Sequence, residues 1–511
     1  LGSKSIAIGQ GALFTQNFTS ATNAYNVAVG HEAGVDITTG TKNTIIGGLA
    51  GDALTTGIVN VAVGYQALSS DTAGKRSVAI GNGALFTQNF TSATDTYNTA
   101  VGEAAGNQVT TGIQNTLIGA LAGDAITTAN NNTALGYNSL GLNTTGNSNV
   151  AIGYAALDAN TTASNNTAVG ASALGANTTG DKNVAIGNSA GDANTTGFNN
   201  IAIGYDSLGT NTAAGANIAI GYEALKTFNS TSNTSQFNTA VGTQAGKLLT
   251  TGVQNTLIGS LAGDAITTGA NNVAVGYLSL SANTTASDNN AFGVNALFSN
   301  TTGTANTALG RSALRVNTTA SNNTAVGHNS LTTNTTGDKN VAIGSLALDA
   351  ETAGSRSVAI GYQALSTQNL TSATNVYNVA VGFDAGKLVT TGTQNTLVGG
   401  NAGSALTTGG NNTFVGVSAG GVGVVTGNSN NCVGVGALQA LTSGANNSAL
   451  GDSAGVSITT GANNLCLGHD AGRTGSPGGA CTTGTNRIAL GDEDVDNCHI
   501  QVDWTVASDA R

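Results

Sequence analysis

The sequence predicts an all-β fold, a parallel β-solenoid or β-roll of about 28 coils with a 17-residue period. Three observations carry that expectation. A pentapeptide of the form Asn-x-Ala-(Ile/Val/Leu)-Gly recurs 28 times, with closing glycines at 9, 30, 47, 64, 81, 102, 119 and onward to 491. The step is 17 residues nearly everywhere, too short for each copy to bury a core alone, so neighbouring copies must stack. The composition agrees: 40 % hydrophobic residues with 8 % charged, 74 glycines and one proline fits neither a disordered chain nor a collagen triple helix.

Each part of the repeat has a physical reading, best followed in Asn132–Ser148, NTALGYNSLGLNTTGNS. The pentapeptide alternates over five residues, often with Val, Ile or Thr second and a large apolar residue fourth, which is a strand pattern. Its invariant glycine marks a positive φ or the close passage of another backbone. Asparagine leads every copy except those starting at Ser5, Ser77, Ser357 and Arg487. Stacked Asn side chains at a turn can hydrogen-bond up and down the ladder and tolerate left-handed backbone. Three residues after the glycine, Ala or Ser followed by Leu or Gly reads as a second short extended segment, and TTG closes the coil. The Val/Ile/Thr and large aliphatic face is expected to fill the coil's interior, leaving a thin Ala/Gly face for a close neighbour. That motivates an oligomer, with three-fold packing about the long axis the simplest closed form.

The period breaks in a few places. It rises to 21 after Gly9, Gly81, Gly221 and Gly361, to 18 before Gly434 and to 23 before Gly491. The insertions LFTQNFTSATNAYN, LFTQNFTSATDTYN, LKTFNSTSNTSQFN and LSTQNLTSATNVYN start at Leu13, Leu85, Leu225 and Leu365; the last three starts are 140 residues apart, a sign of duplicated eight-coil blocks. Insertions in a solenoid emerge on one side, so Phe14, Phe86, Phe228 and Tyr377 are candidate residues of interaction loops. Tyrosine often follows the glycine, as at Tyr65, Tyr137 and Tyr154, an exposed position with loose requirements.

Other chemistry is sparse. Fifteen Lys and Arg, a net charge of -11 and no basic cluster argue against nucleic acid. No apolar run approaches membrane-spanning length. The histidines, His31, His328, His469 and His499, are too scattered for a shared catalytic centre in the repeats, and neither cofactor nor metal is expected. Asp492, Glu493, Asp494 and Asp496 read as a solvated acidic turn. Cys432 and Cys466 hold equivalent repeat positions and read as buried small hydrophobes, while Cys481 and Cys498 are the candidates for a disulfide. Stacked threonines suggest ice binding, but TTG makes them adjacent, so both cannot stand on one flat strand face. The chain lacks methionine and opens inside a repeat, as expected of a piece of a longer polypeptide.

The pentapeptides resemble the head repeats of trimeric autotransporter adhesins, which implies a trimeric, left-handed parallel β-roll. The resemblance extends over almost the whole chain, and phage fibres use similar repeats. The stretch Asn486–Arg511, NRIALGDEDVDNCHIQVDWTVASDAR, resembles the junction at which phage tail fibres and spikes enter an endosialidase-type intramolecular chaperone. That family opens with Ser-Asp-x-Arg-x-Lys, matched here through Ser508, Asp509, Ala510 and Arg511; the expected lysine falls past Arg511. The resemblance implies self-cleavage beside Ser508 after assembly, the serine activated by that lysine. Near-identical coils specify register weakly, so a terminal domain that trimerises first would set it.

The expected organisation is a shaft over residues 1–491 and a non-repeat junction over 492–511. The expected function is structural rather than enzymatic: the shaft of a phage tail fibre or virion appendage in host attachment, a homotrimer that does not insert into membranes. Its further partner would be a cell-surface receptor or glycan. The alternative is the head of a bacterial trimeric surface adhesin, placed at the cell surface.

Overall fold

A computed structural model of the chain describes residues 2–476 and 479–495. The repeats form two compact units, residues 1–286 and 287–511. Each is a parallel β-solenoid, and among the described residues there is no helix. The first unit carries sixteen three-residue strands and the second twelve, one for each pentapeptide. Within each unit every strand pairs in parallel with that of the next coil, in the register the repeat dictates. Thr133, Ala134 and Leu135 lie opposite Val150, Ala151 and Ile152.

Counting the leading asparagine as position 1, the strand covers positions 2 to 4. Its central residue points inward, and Ala134, Ala151, Ala168 and Ala185 are fully buried. Positions 2 and 4 point outward, with Ile118, Leu135, Ile186 and Ile258 exposed. This reverses the expected faces. Seventeen residues enclose too little cross-section for two large side chains per strand, because the interior is already occupied from the opposite wall at positions 9 and 12. The thin face therefore lines the interior, and the aliphatic face becomes an outer stripe.

The second extended segment is also corrected: residues after the glycine run through consecutive turns, with positive φ at positions 7 and 9, as at Asn138 (56°) and Leu140 (52°). Coil-to-coil bonds continue there, Leu140 N–H donating to Ala156 O at 3.0 Å and Asn138 N–H to Ala120 O at 3.1 Å. Parallel pairing thus extends beyond the strands without extended backbone.

Two ladders hold the coils in step. The closing glycines have φ between about 110° and 145° throughout most of the stack, Gly136 for example at 140°. An added Cβ on Gly136 would lie 2.5 Å from the carbonyl oxygen of Gly153 in the next coil. The position-1 asparagines are buried and chained: Asn132 N–H donates to Asn115 Oδ1 at 3.0 Å, and Asn115 Nδ2 donates to Ala129 O at 2.9 Å. The left-handed residue is the one before the asparagine, such as Asn131 (φ 60°), not the asparagine itself.

The core is filled by alternative routes. Where position 9 is glycine, position 12 is usually a large aliphatic: Gly123 goes with Ile126 and Gly263 with Ile266. A Cβ on Gly123 would lie 2.7 Å from Ile126 Cδ1 and 2.8 Å from Leu117 Cδ2. Where position 9 is leucine, position 12 is usually polar, as in Leu140 with Asn143 and Leu157 with Asn160, and these asparagines form a second internal ladder, Asn160 Nδ2 donating to Asn143 Oδ1 at 2.8 Å.

At two of the insertions that polar position holds a buried acid. Asp71 accepts from Gly74 N–H, Phe90 N–H and Gln88 Nε2 at 3.1, 3.0 and 2.7 Å. Glu351 accepts from Gly354 N–H, Leu370 N–H and Gln368 Nε2 at 2.7, 3.1 and 2.8 Å. Burial pushes the Asp71 carboxyl above its usual range against these hydrogen bonds.

Candidate functional site

The insertions build the most irregular surface. Their extra residues add a short strand parallel to the preceding coil: Gly74–Lys75 pairs with Thr94–Asp95, and Gly354–Ser355 with Thr374–Asn375. Just before the following pentapeptide a tyrosine stands over a cation of the previous coil. Lys4, Arg76 and Arg356 lie 5.2, 5.4 and 5.5 Å from the ring centres of Tyr25, Tyr97 and Tyr377. The two arginines also donate to the tyrosine hydroxyls at 2.7 Å.

The candidate loop aromatics have different fates. Phe14 is 80 % exposed, Phe86 is half-buried, and Tyr377 is exposed but engaged by Arg356. Phe228 is corrected from loop to core: it is fully buried because it takes the position-12 corner that other coils fill with Ile or Asn. Ser508, Asp509, Ala510 and Arg511 lie outside the described residues, as do Cys498 and His499.

Phe86 borders a shallow concavity of about 270 Å³, lined also by Gln66, Asn82, Gly83, Glu103, Ala104 and Asn107. It spans the turn residues after the glycine in three successive coils, Gln66 from the first, Asn82 to Phe86 from the second and Glu103 to Asn107 from the third. Asn107 Nδ2 donates to Gly83 O at 3.1 Å, fixing one wall. Amides, one carboxylate and an aromatic ring suit a hydroxyl-rich ligand held by hydrogen bonds and ring stacking. Glu103 is the one acid in the lining, so the paired carboxylates of glycoside hydrolysis are not assembled there. Sequence reading singled out Phe86 through the insertion but missed Gln66, Asn82 and Glu103, whose columns vary freely from coil to coil.

Exposed aromatics stack along the column after the glycine. Tyr137 and Tyr154, Tyr205 and Tyr222, and Tyr362 and Phe383 have ring centres 5.8, 5.5 and 5.5 Å apart. The first threonine of TTG spends its hydroxyl on the next coil, Thr144 Oγ1 donating to Thr161 O at 3.0 Å. An ice-binding face of paired free hydroxyls is therefore not presented.

Two charged clusters stand out. Glu223, its side chain 9 % exposed, is met by Lys226 Nζ at 2.7 Å and Lys247 Nζ at 2.8 Å, and accepts from Gln244 Nε2 at 3.0 Å. Hydrogen bonds from Lys226, Lys247 and Gln244 hold its carboxyl down to about 2. A depressed acid contributes its stability above its unfolded value and loses it as pH falls through the folded one. The network should therefore persist until the pH nears 2, and a ¹³C-carboxyl titration of Glu-labelled protein showing a Glu223 midpoint above 4 would contradict it.

The second cluster brings His469, Asp470 and Asp492 within 4.8 Å of one another through one ligand atom each. Asp470 is already neutralised by the Arg473 guanidinium, and His469 Nδ1 lies 3.2 Å from Asp492 Oδ2. The hydrogen bond to Asp492 and the charge of Asp470 raise the imidazole above its usual range. The arrangement is a compensated ion cluster at the start of the acidic turn.

No protein-family model matches the chain, and no curated protein matches it in sequence.

Proposed function

We propose that the protein is a structural fibre, the shaft of a phage tail fibre or similar virion appendage, acting as a homotrimer in host attachment. The observation that carries this reading is the outward stripe of two apolar or β-branched residues in every coil of the first unit and most coils of the second. A three-residue strand about 10 Å long repeated every ~4.8 Å gives roughly 800 Å² over sixteen coils, the area one partner contributes to a stable interface. A surface with this strict pitch is matched best by another copy of itself. An axis parallel to the ladder keeps each insertion level with its own copies, and the likeness to trimeric adhesin heads favours three-fold closure.

Sedimentation equilibrium of the intact chain tests this. The wild type is expected at the mass of three chains, and the double variant Ile118→Lys, Ile186→Lys at one chain with an unchanged far-UV circular dichroism spectrum. A wild type that sediments as one chain would remove the proposal.

The alternative, a bacterial surface adhesin head, is favoured by the concavity beside Phe86 and the exposed stacked aromatics. Retention on immobilised glycans that is lost in Glu103→Ala would support flank binding, whereas a bare shaft would pass through unretarded.

A further inference from the structure

The coil that begins at Asn464 is the least regular of the second unit. It carries the 23-residue step, and its central strand residue is Cys466. In coils with glycine at position 9 the interior is usually closed by aliphatic side chains at position 12 and, in some, at position 3: Leu117 and Ile126 both approach the place a Cβ on Gly123 would take. In this coil Cys466 replaces Leu117, Gly472 replaces Gly123, and Cys481 arrives at the corner in place of Ile126. A Cβ on Gly472 would lie 2.8 Å from Cys466 Sγ and 3.3 Å from Cys481 Sγ, so the two sulfurs flank one point.

Both cysteines are buried with free thiols, and the two are near enough for Cys481 to influence the ionisation of Cys466. The backbone is pinned around them. Cys481 N–H donates to Gly472 O at 2.9 Å, and Cys466 is held in the ladder opposite Ala489. Cys432, also inward at position 3, is buried two coils away, where Leu438 and Leu441 fill the same cell. Two thiols in one cell are thus particular to this coil.

We propose that Cys466 and Cys481 are a disulfide-forming pair that latches this irregular coil. The reaction is thiol–disulfide exchange with a small disulfide such as oxidised glutathione. One cysteine, as thiolate, attacks the donor and releases one glutathione thiol; the second attacks the resulting mixed disulfide and releases another. One S–S bond forms within the protein as the donor's breaks, and two cysteine protons pass to the departing thiolates.

Burial pushes the Cys466 thiol up to about 12, so the closed coil exchanges slowly and reaction proceeds as the segment opens. The latch ties the strand of this coil to its corner across the six residues that the 23-residue step adds to the common period of 17. The sequence offered Cys481 with Cys498; Cys498 lies outside the described residues, and the structure places Cys466 beside Cys481.

The test uses the full chain carrying Cys498→Ser, incubated folded with oxidised glutathione, then unfolded, alkylated and digested with trypsin without reduction. Cleavage after Arg473 separates the two cysteines into different peptides. The expected result is an intact mass about 2 Da below the reduced chain and a linked pair of peptides joined through Cys466 and Cys481. Fragmentation distinguishes Cys466 from Cys432, which shares its peptide. Three alkylated cysteines, persistent glutathione adducts or a link from Cys432 would each overturn the proposal. In the chain with Cys498 intact, a link from Cys481 to Cys498 in preference to Cys466 would do the same.

Discussion

Gly136→Ala is expected to be among the most damaging single-methyl changes in the first unit. The new Cβ would meet the Gly153 carbonyl oxygen at 2.5 Å and its carbon at 2.7 Å, both backbone atoms held by the next coil. The residue must also keep φ near 140°, where an L side chain is strained. We expect a loss of about 4–5 kcal/mol or more, at the extreme of single substitutions. Because coils couple mainly to their neighbours, the break should divide the transition, with coils before and after Gly136 melting separately in urea. Gly48→Ala is the matched control: its Cβ meets only the edge of the Tyr65 ring, at 3.6 and 4.0 Å, and other coils carry Ala120 or Ala171 there, so about 0.5 kcal/mol or less is expected. Equal urea midpoints for the two variants would refute the account of the glycine ladder.

Asn115→Ala should be nearly as costly for a different reason. Asn115 Oδ1 accepts from Asn132 N–H at 3.0 Å, and its Nδ2 donates to Ala129 O at 2.9 Å, all three residues being fully buried. Alanine leaves a buried donor and a buried acceptor unpaired, at about 1–3 kcal/mol each, so a loss of about 4 kcal/mol is expected in chemical denaturation. Asn115→Asp keeps the acceptor but turns the donor into a charge facing a carbonyl. Burial would raise that acid's folded pKa above its unfolded value, so its penalty should shrink as the pH falls and the acid protonates. A variant whose stability relative to wild type is unchanged between pH 7 and pH 4 would contradict the buried ladder.

Much of the fold was legible because the chain states each constraint many times. A glycine fixed at one place in every coil can only mean a place where no Cβ fits, and Gly136 and its counterparts bear this out. The buried, chained asparagines were equally plain. The direction of the strand was not, since alternation separates two faces without saying which is inside when both are apolar. The deciding fact is the interior's size, which is written in another pair of columns: leucine at position 9 usually goes with a polar residue at position 12, as Leu140 with Asn143, and glycine with a large aliphatic, as Gly123 with Ile126. The turn-built second wall escaped prediction because its left-handed leucines, such as Leu140 and Leu157, are held by inter-coil bonds rather than by local preference. Phe86 and Phe228 enter from related insertions, yet one borders a surface hollow and the other fills a corner, a difference of context that the aromatic residue itself does not encode.

The buried acids Asp71 and Glu351 have a consequence for fidelity. Most coils are interchangeable, so a chain that looped out one repeat and rejoined the stack would lose little. The coil of Asp71 is different, because beside the Gly74 amide of its own coil its carboxylate takes donors from the longer coil that follows, Gln88 and the Phe90 amide. Should that coil be skipped, the acid would face the apolar corner of Val109; skipping after Glu351 would bring it against Val389. Each would leave a buried charge with only the backbone donors of its own coil, a cost in stability. The two acids thus act as proofreading marks, accepting the single successor that completes them and rejecting an otherwise tolerable miscount of coils.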